Sequence, residues 1–152
     1  MTQTFQASVS SWVRKSEQLM LDVVKMSAQD AISEMQEVGP SVANPDSSGT
    51  GRMPIDRGFL RASLQAALNT LPTHTMTFRP PTGNAVYAPS PIALVIASAK
   101  GGDTIYATYG MPYGPAMEEK YAFVRMTAQN WQTIVNRNVR RLARLPGAQA
   151  FR

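Results

Sequence analysis

Residues able to do chemistry are few in this chain, and their surroundings do not organise them into a catalytic set. The single histidine, His74, sits in T-H-T-M-T-F without the H-x-x-x-H, H-x-E or G-x-S-x-G context that would supply a metal or a serine. Glu118 and Glu119 look like a carboxylate pair, but neighbours on a helix point ~100° apart and do not share a substrate atom. After Pro115 they read instead as first-turn residues of a helix, where negative charge suits the dipole. The G-T-G-R run at Gly49 lacks the spacing and the preceding strand of a phosphate loop. With no cysteine, thiolate nucleophiles, disulfides and thiolate zinc sites are excluded together. The expectation is a protein that is not an enzyme and needs no cofactor and no metal.

Arginine is the functional group that remains. Val124, Ala128, Trp131, Val135, Val139 and Leu142 step by three or four residues and predict a helix after Pro115 with one apolar stripe, whose Trp131, Val135 and Leu142 are expected in the core. Arg137, Arg140, Arg141 and Arg144 fall within an arc of about 100° opposite that stripe. Cations near a helix carboxyl terminus are favoured by its dipole, so part of the clustering needs no ligand. The charge is also split along the chain. Residues 1–50 carry three basic and six acidic side chains, whereas residues 120–152 carry seven basic and none acidic. Such polarity suits a phosphate contact through the basic end, or a head-to-tail assembly in which one copy's acidic part meets the next copy's basic part. There is no helix-turn-helix spacing, zinc-ligand set or aromatic-basic interleaving of a base-reading module.

The elements that must position these groups can be read from the pattern. A chain of 152 residues with 43% apolar and 16% charged residues predicts one folded domain over 1–152. From Val9 to Val38 apolar residues recur at helical steps, with Glu17, Asp22, Lys25, Asp30 and Glu34 between them, predicting a long amphipathic helix closed by Gly39-Pro40. Residues 39–56 read as a long protruding loop. Between Phe59 and Tyr109 short β-prone pieces predict a small, mostly antiparallel sheet. P-I-A-L-V-I-A-S-A and T-I-Y-A-T-Y-G would form a hairpin across Gly101-Gly102, and Thr73–Arg79 a further strand, while R-A-S-L-Q-A-A-L-N suits strand or helix. The fold class expected is α+β, with the sheet packed by the first and last helices. The longest near-apolar run, Ile92–Ala99, is too short to cross a bilayer, and no secretion signal is visible.

The run M-P-I-D-R-G-F-L-R-A-S-L, Met53–Leu64, combines turn formers with an apolar anchor. Pro54 and Asp56 set up a turn, Gly58 permits close approach, and Leu60 and Leu64 anchor a corner. This stretch resembles the P-V-D-T-G-x-L-R-x-S-I signature of neck and tail-completion proteins of long-tailed, lambda-like bacteriophages. Those proteins follow the signature with strands, a Y-A-x-x-x-E element and an F-(V/L/M)-R-P-A helix. Here Tyr113–Glu118 and Phe123–Ala128 occupy the corresponding places, and the resemblance spans most of the chain. Arg57 stands where the family usually has threonine, and a Gly-Thr loop between glutamate and phenylalanine is reduced to Glu119–Ala122.

The resemblance implies a structural virion protein of the head-tail junction, acting as neck, tail-completion or tail-terminator protein and made in the bacterial host cytoplasm. It would form a homo-oligomeric ring, on the order of six or twelve copies, around double-stranded DNA that passes without sequence recognition. The other partners implied are the head-completion and tail proteins of the same phage; no membrane is involved. Within that reading Pro54, Asp56, Gly58, Leu60 and Leu64 are architectural. Arg57 and Arg61 would project toward a neighbouring subunit. Arg137, Arg140, Arg141 and Arg144 would meet an acidic surface of an adjacent copy, with Glu34 and Glu37 of the first helix among its donors. The alternative is a double-stranded DNA-binding accessory protein using the carboxyl-terminal arginine face.

Overall fold

A computed structural model describes residues 4–41, 45–46, 48–73 and 83–145. The first helix, α1 (Phe5–Met35), begins where the Thr4 hydroxyl accepts the Ala7 N–H at 3.3 Å. Its 31 residues make a rod roughly 46 Å long. It ends at Met35, short of the Gly39-Pro40 stop expected from the sequence, and Gly39 does not take the left-handed conformation of a cap. The glycine serves a chain crossing instead. Val38 and Met53 form a parallel bridge, with Gly39 N–H bonded to the Met53 carbonyl and Met53 N–H to that of Glu37. A Cβ at Gly39 would overlap the Gly51 carbonyl, and one at Gly51 the Glu37 carbonyl. The loop expected over 39–56 is therefore pinned at its base. Its returning limb does not protrude: Met53 is fully buried, and the Ser41 hydroxyl donates to the Ile55 carbonyl at 3.0 Å.

The signature stretch builds a corner. Gly58, at φ +80°, has the Ala85 carbonyl where a Cβ would stand, and leads into a single turn, α2 (Phe59–Ala62). Buried Ser63 ends the turn and returns its hydroxyl to the Leu60 carbonyl at 2.7 Å. Strand β1 (Leu64–Leu68) follows at once, settling the strand-or-helix ambiguity of that segment.

The expected hairpin is not formed. Residues Ser90–Ser98 are a helix, α3, with Pro91 in its first turn, where proline costs no hydrogen bond. Ile92, Ile96 and Ala99 follow at helical spacing and are buried, while Leu94 is exposed. Packing one face against the sheet thus overrides the β propensity of the Ile-Val-rich run. The strand β2 (Ile105–Tyr109) pairs antiparallel with β1, Leu64 opposite Tyr109 and Leu68 opposite Ile105. The strand expected at Thr73–Arg79 lies, apart from Thr73, outside the described residues, as does His74.

The carboxyl-terminal helix is broken into three: α4 (Gly114–Tyr121), α5 (Phe123–Gln129) and α6 (Trp131–Ala143). Ala122, at φ 57°, makes the first break, and the Glu118 carboxylate bridges it by accepting the Val124 and Arg125 N–H groups at 2.8 and 2.9 Å. Helix α6 lies antiparallel to α1, with Asn130 against Glu34 and Asn138 against Ser27. Its buried residues are Ile134 and Asn138, so the helix is turned by roughly 75° from the stripe expected to face the core. Trp131, expected in the core, is 41% exposed.

Two apolar clusters hold the body. One joins Met53, Phe59, Leu60, Met111 and Phe123; the other joins Ile32, Leu64, Ile92 and Ile96, and Tyr109 packs against both. The chain is thus α+β, a two-stranded antiparallel sheet among helices with the long α1 packed on α6. No helix among the described residues is long and apolar enough to cross a membrane.

Candidate subunit interface

The candidate interface residues divide among three surfaces. The first is a depression of about 450 Å³ where the carboxyl end of α1 meets the signature corner and α6; Asp30, Glu34, Glu37, Arg61 and Arg137 all line it. The acidic side chains there are engaged within the chain. Asp30 Oδ2 accepts Arg137 Nη2 at 3.1 Å and Asn138 Nδ2 at 2.9 Å. Both Glu34 oxygens accept Asn130 Nδ2, at 3.1 and 3.2 Å, and Glu37 Oε1 accepts the Thr50 hydroxyl. The acidic row expected to serve a neighbour is thus largely the seat of the protein's own last helix.

Arg61 does not project outward as expected. It is half-buried, its guanidinium lies 5.2 Å from the centre of the Tyr87 ring, and burial pushes the Tyr87 hydroxyl up in pKa while the Arg61 charge opposes the shift. Behind it, Gln36 ties the end of α1 to the corner, donating Nε2 to the Tyr109 hydroxyl at 3.2 Å and to the Arg61 carbonyl at 3.4 Å. Burial, reinforced by the charges of Tyr87 and Glu118 and opposed by Arg61, holds the Tyr109 hydroxyl far above the ordinary phenol range.

The second surface is a cleft of about 480 Å³ walled by the signature itself, from Pro54 to Leu60, and by Tyr113, Met117, Lys120 and Tyr121 of the α4 region. Arg57, expected to project toward a neighbour, is half-buried and lines this cleft with its guanidinium 5.5 Å from the Phe59 ring centre. Of the five architectural residues, Leu60 and Leu64 are buried as expected and Gly58 makes the close approach; Pro54 is half-buried and Asp56 exposed.

The third surface is a shallow groove on α6 of about 820 Å³, lined by Arg137, Arg140, Arg141, Arg144, Thr133 and Asn136. Because α6 is rotated, these arginines lie about 90° from the buried face rather than opposite it, which is what brings Arg137 within reach of Asp30.

Sequence reasoning passed over Asn130, Asn138 and Ser27. For the two asparagines a signal was present: Asn130, Ile134 and Asn138 recur every four residues on one helix face, of which Ile134 and Asn138 are buried and Asn130 half-buried. A scan against protein-family models and searches of curated proteins and of solved structures find no match for this chain.

Proposed function

We propose that this protein is a structural subunit of the head-tail junction of a long-tailed bacteriophage, assembling as a ring around the DNA channel. One observation carries the reading. The signature and the Tyr113–Glu118/Phe123–Ala128 element, roughly 60 residues apart in the chain, meet in a single core: Phe59 and Leu60 pack with Phe123, and Tyr113, Met117 and Val124 pack against the same cluster. Two short motifs that match a family by chance have no reason to build one unit. The spacing of the second motif also has a physical purpose, since its glutamate caps the helix begun by its phenylalanine.

An exposed apolar surface suited to assembly supports the reading as well. From Thr4 to Lys15 every residue of the α1 start except Ser11 is exposed, among them Phe5 at 86% and Trp12 at 57%, with Val9 and Val13 on the same side. An apolar overhang of about three helical turns suits burial against another subunit. Light scattering and negative-stain electron microscopy of the purified protein test the reading. Rings of uniform size formed without DNA are expected; a monomer or dimer at every concentration overturns it.

A further inference from the structure

We infer that Arg137, Arg140, Arg141 and Arg144 form a stripe on α6 that binds the phosphate backbone of duplex DNA without reading its sequence. The four stand at i, i+3, i+4 and i+7, three within α6 and Arg144 at its C-cap, one row roughly 10 Å long. That length matches about three successive phosphates of one strand. Of the four, Arg137 is the one that pairs with Asp30. Arg140, Arg141 and Arg144 are exposed and form no ion pair among the described residues, so a row of three uncompensated guanidinium groups faces solvent. Thr133 and Asn136 on the same groove add neutral donors that suit phosphate oxygens.

The competing occupant is an acidic surface of a second copy, and the fold works against it. Asp30, Glu34 and Glu37 are held by Arg137, Asn130 and Thr50, while Glu118 caps α5. Besides Glu37, the exposed acids among the described residues are Glu17 on α1, Asp46 and Asp56 between α1 and α2, and Glu119 on α4, spread over three parts of the chain. Exposed arginines without base contacts also suit DNA that has to slide, because each phosphate contact is weak, exchangeable and salt-screened. The inference rests on the ring reading for where the DNA runs, and not for whether it binds.

The test uses the full chain and fluorescent 30-base-pair duplexes of two unrelated sequences, with anisotropy read between 50 and 200 mM salt. Both duplexes should bind with equal affinity, with a log–log salt slope of about −3 or steeper. The triple variant R140Q/R141Q/R144Q should lose at least tenfold in affinity at the lowest salt and most of the slope, and R144Q alone should flatten the slope by about 0.9 per engaged copy. Light scattering on the same samples separates the two proposals. A wild-type monomer that binds with the expected slope, lost in the variant, upholds the stripe and removes the ring. A triple variant that no longer assembles yet keeps the wild-type slope per protomer assigns the arginines to a protein contact and overturns the inference. So does a wild-type slope near zero.

Discussion

Replacing Glu118 by alanine probes the joint on which the carboxyl-terminal half turns. Helix α5 starts at a residue with nothing to offer as a cap: Ala122 is at φ 57° and has no side-chain acceptor. Glu118 supplies what is missing from one helix away, accepting two backbone N–H groups at 2.8 and 2.9 Å with a charged oxygen on each. Loss of an N-cap acceptor costs about 1–2 kcal/mol, and removal of an anion from a helix amino terminus costs a further 0.3–1 kcal/mol or so. The partly buried Val124 N–H keeps the effect near the upper end of the sum, about 2–3 kcal/mol. For a chain of this length that is a fall in Tm of roughly 5–10 °C. Glu118→Gln, which keeps oxygen at one position only, should cost about half as much. Urea unfolding followed by far-UV circular dichroism measures both, at one protein concentration so that assembly does not alter the reference. A change below about 0.5 kcal/mol for the alanine variant would refute the capping role and, with it, the physical reason offered for the spacing of the second motif.

Three further outcomes are expected. Gly51→Ala forces a Cβ onto the Glu37 carbonyl and should be among the most damaging single-methyl changes in the chain, more than about 3 kcal/mol, whereas Gly101→Ala meets nothing and should be near neutral in the same urea assay. Trp131→Ala should cost only about 1 kcal/mol in the isolated protein because the ring is largely at the surface, while Ile134→Ala, fully buried, should cost about 2–5 kcal/mol. Tyr109 keeps its proton in the fold above the ordinary phenol value near 10, so the stability this gives is complete below that pH and is lost as pH rises toward the folded value. Unfolding free energy should fall by up to about 1.4 kcal/mol per pH unit above pH 10 from this group, and Tyr109→Phe should flatten that decline; identical alkaline slopes would refute the assignment.

How much of this could be read from the chain differs by element, and the reasons are physical. Helix α1 was legible because most of its apolar residues recur at helical steps with charged residues between them, and the corner was legible because Gly58, Leu60 and Leu64 do locally what their types favour. Helix α3 was not, since a nine-residue run rich in Ile and Val satisfies strand propensity and helical spacing equally, and only the sheet face beneath it decides. The crossing at Gly39 and Gly51 was hidden for another reason. Each glycine has a sufficient local explanation, as a cap or as loop filler, and their mutual contact is a long-range fact. Of the candidate interface, the gathering of the arginines into one row was legible from their spacing, but not the angle of that row to the buried face. The use of Asp30 and Glu34 inside the chain was not, because it depends on the rotation of α6.

That rotation sets the character of the whole α1–α6 pair. A helix that obeyed its apolar stripe would have buried Trp131, Val135 and Val139 and left the asparagines in water. Burial of Asn138 is accommodated because Ser27, itself fully buried, is small enough to admit it and because Asp30 accepts donors from α6: Asn138 Nδ2 reaches both, at 3.3 and 2.9 Å, while its Oδ1 is buried without a partner among the described residues, a cost that offsets part of the gain. The turn of roughly 75° moves the two remaining faces of α6 to opposite flanks of the pair. On antiparallel helical projection Trp131 and Val139 fall on the flank shared with Met20 and Val24 of α1, all exposed, and Arg137, Arg140, Arg141 and Arg144 fall on the other. The pair is therefore apolar on one side and cationic on the other. In a ring the first side suits a neighbouring subunit and the second the DNA channel. The proposed assembly and the proposed phosphate contact then depend on different residues and can be broken separately.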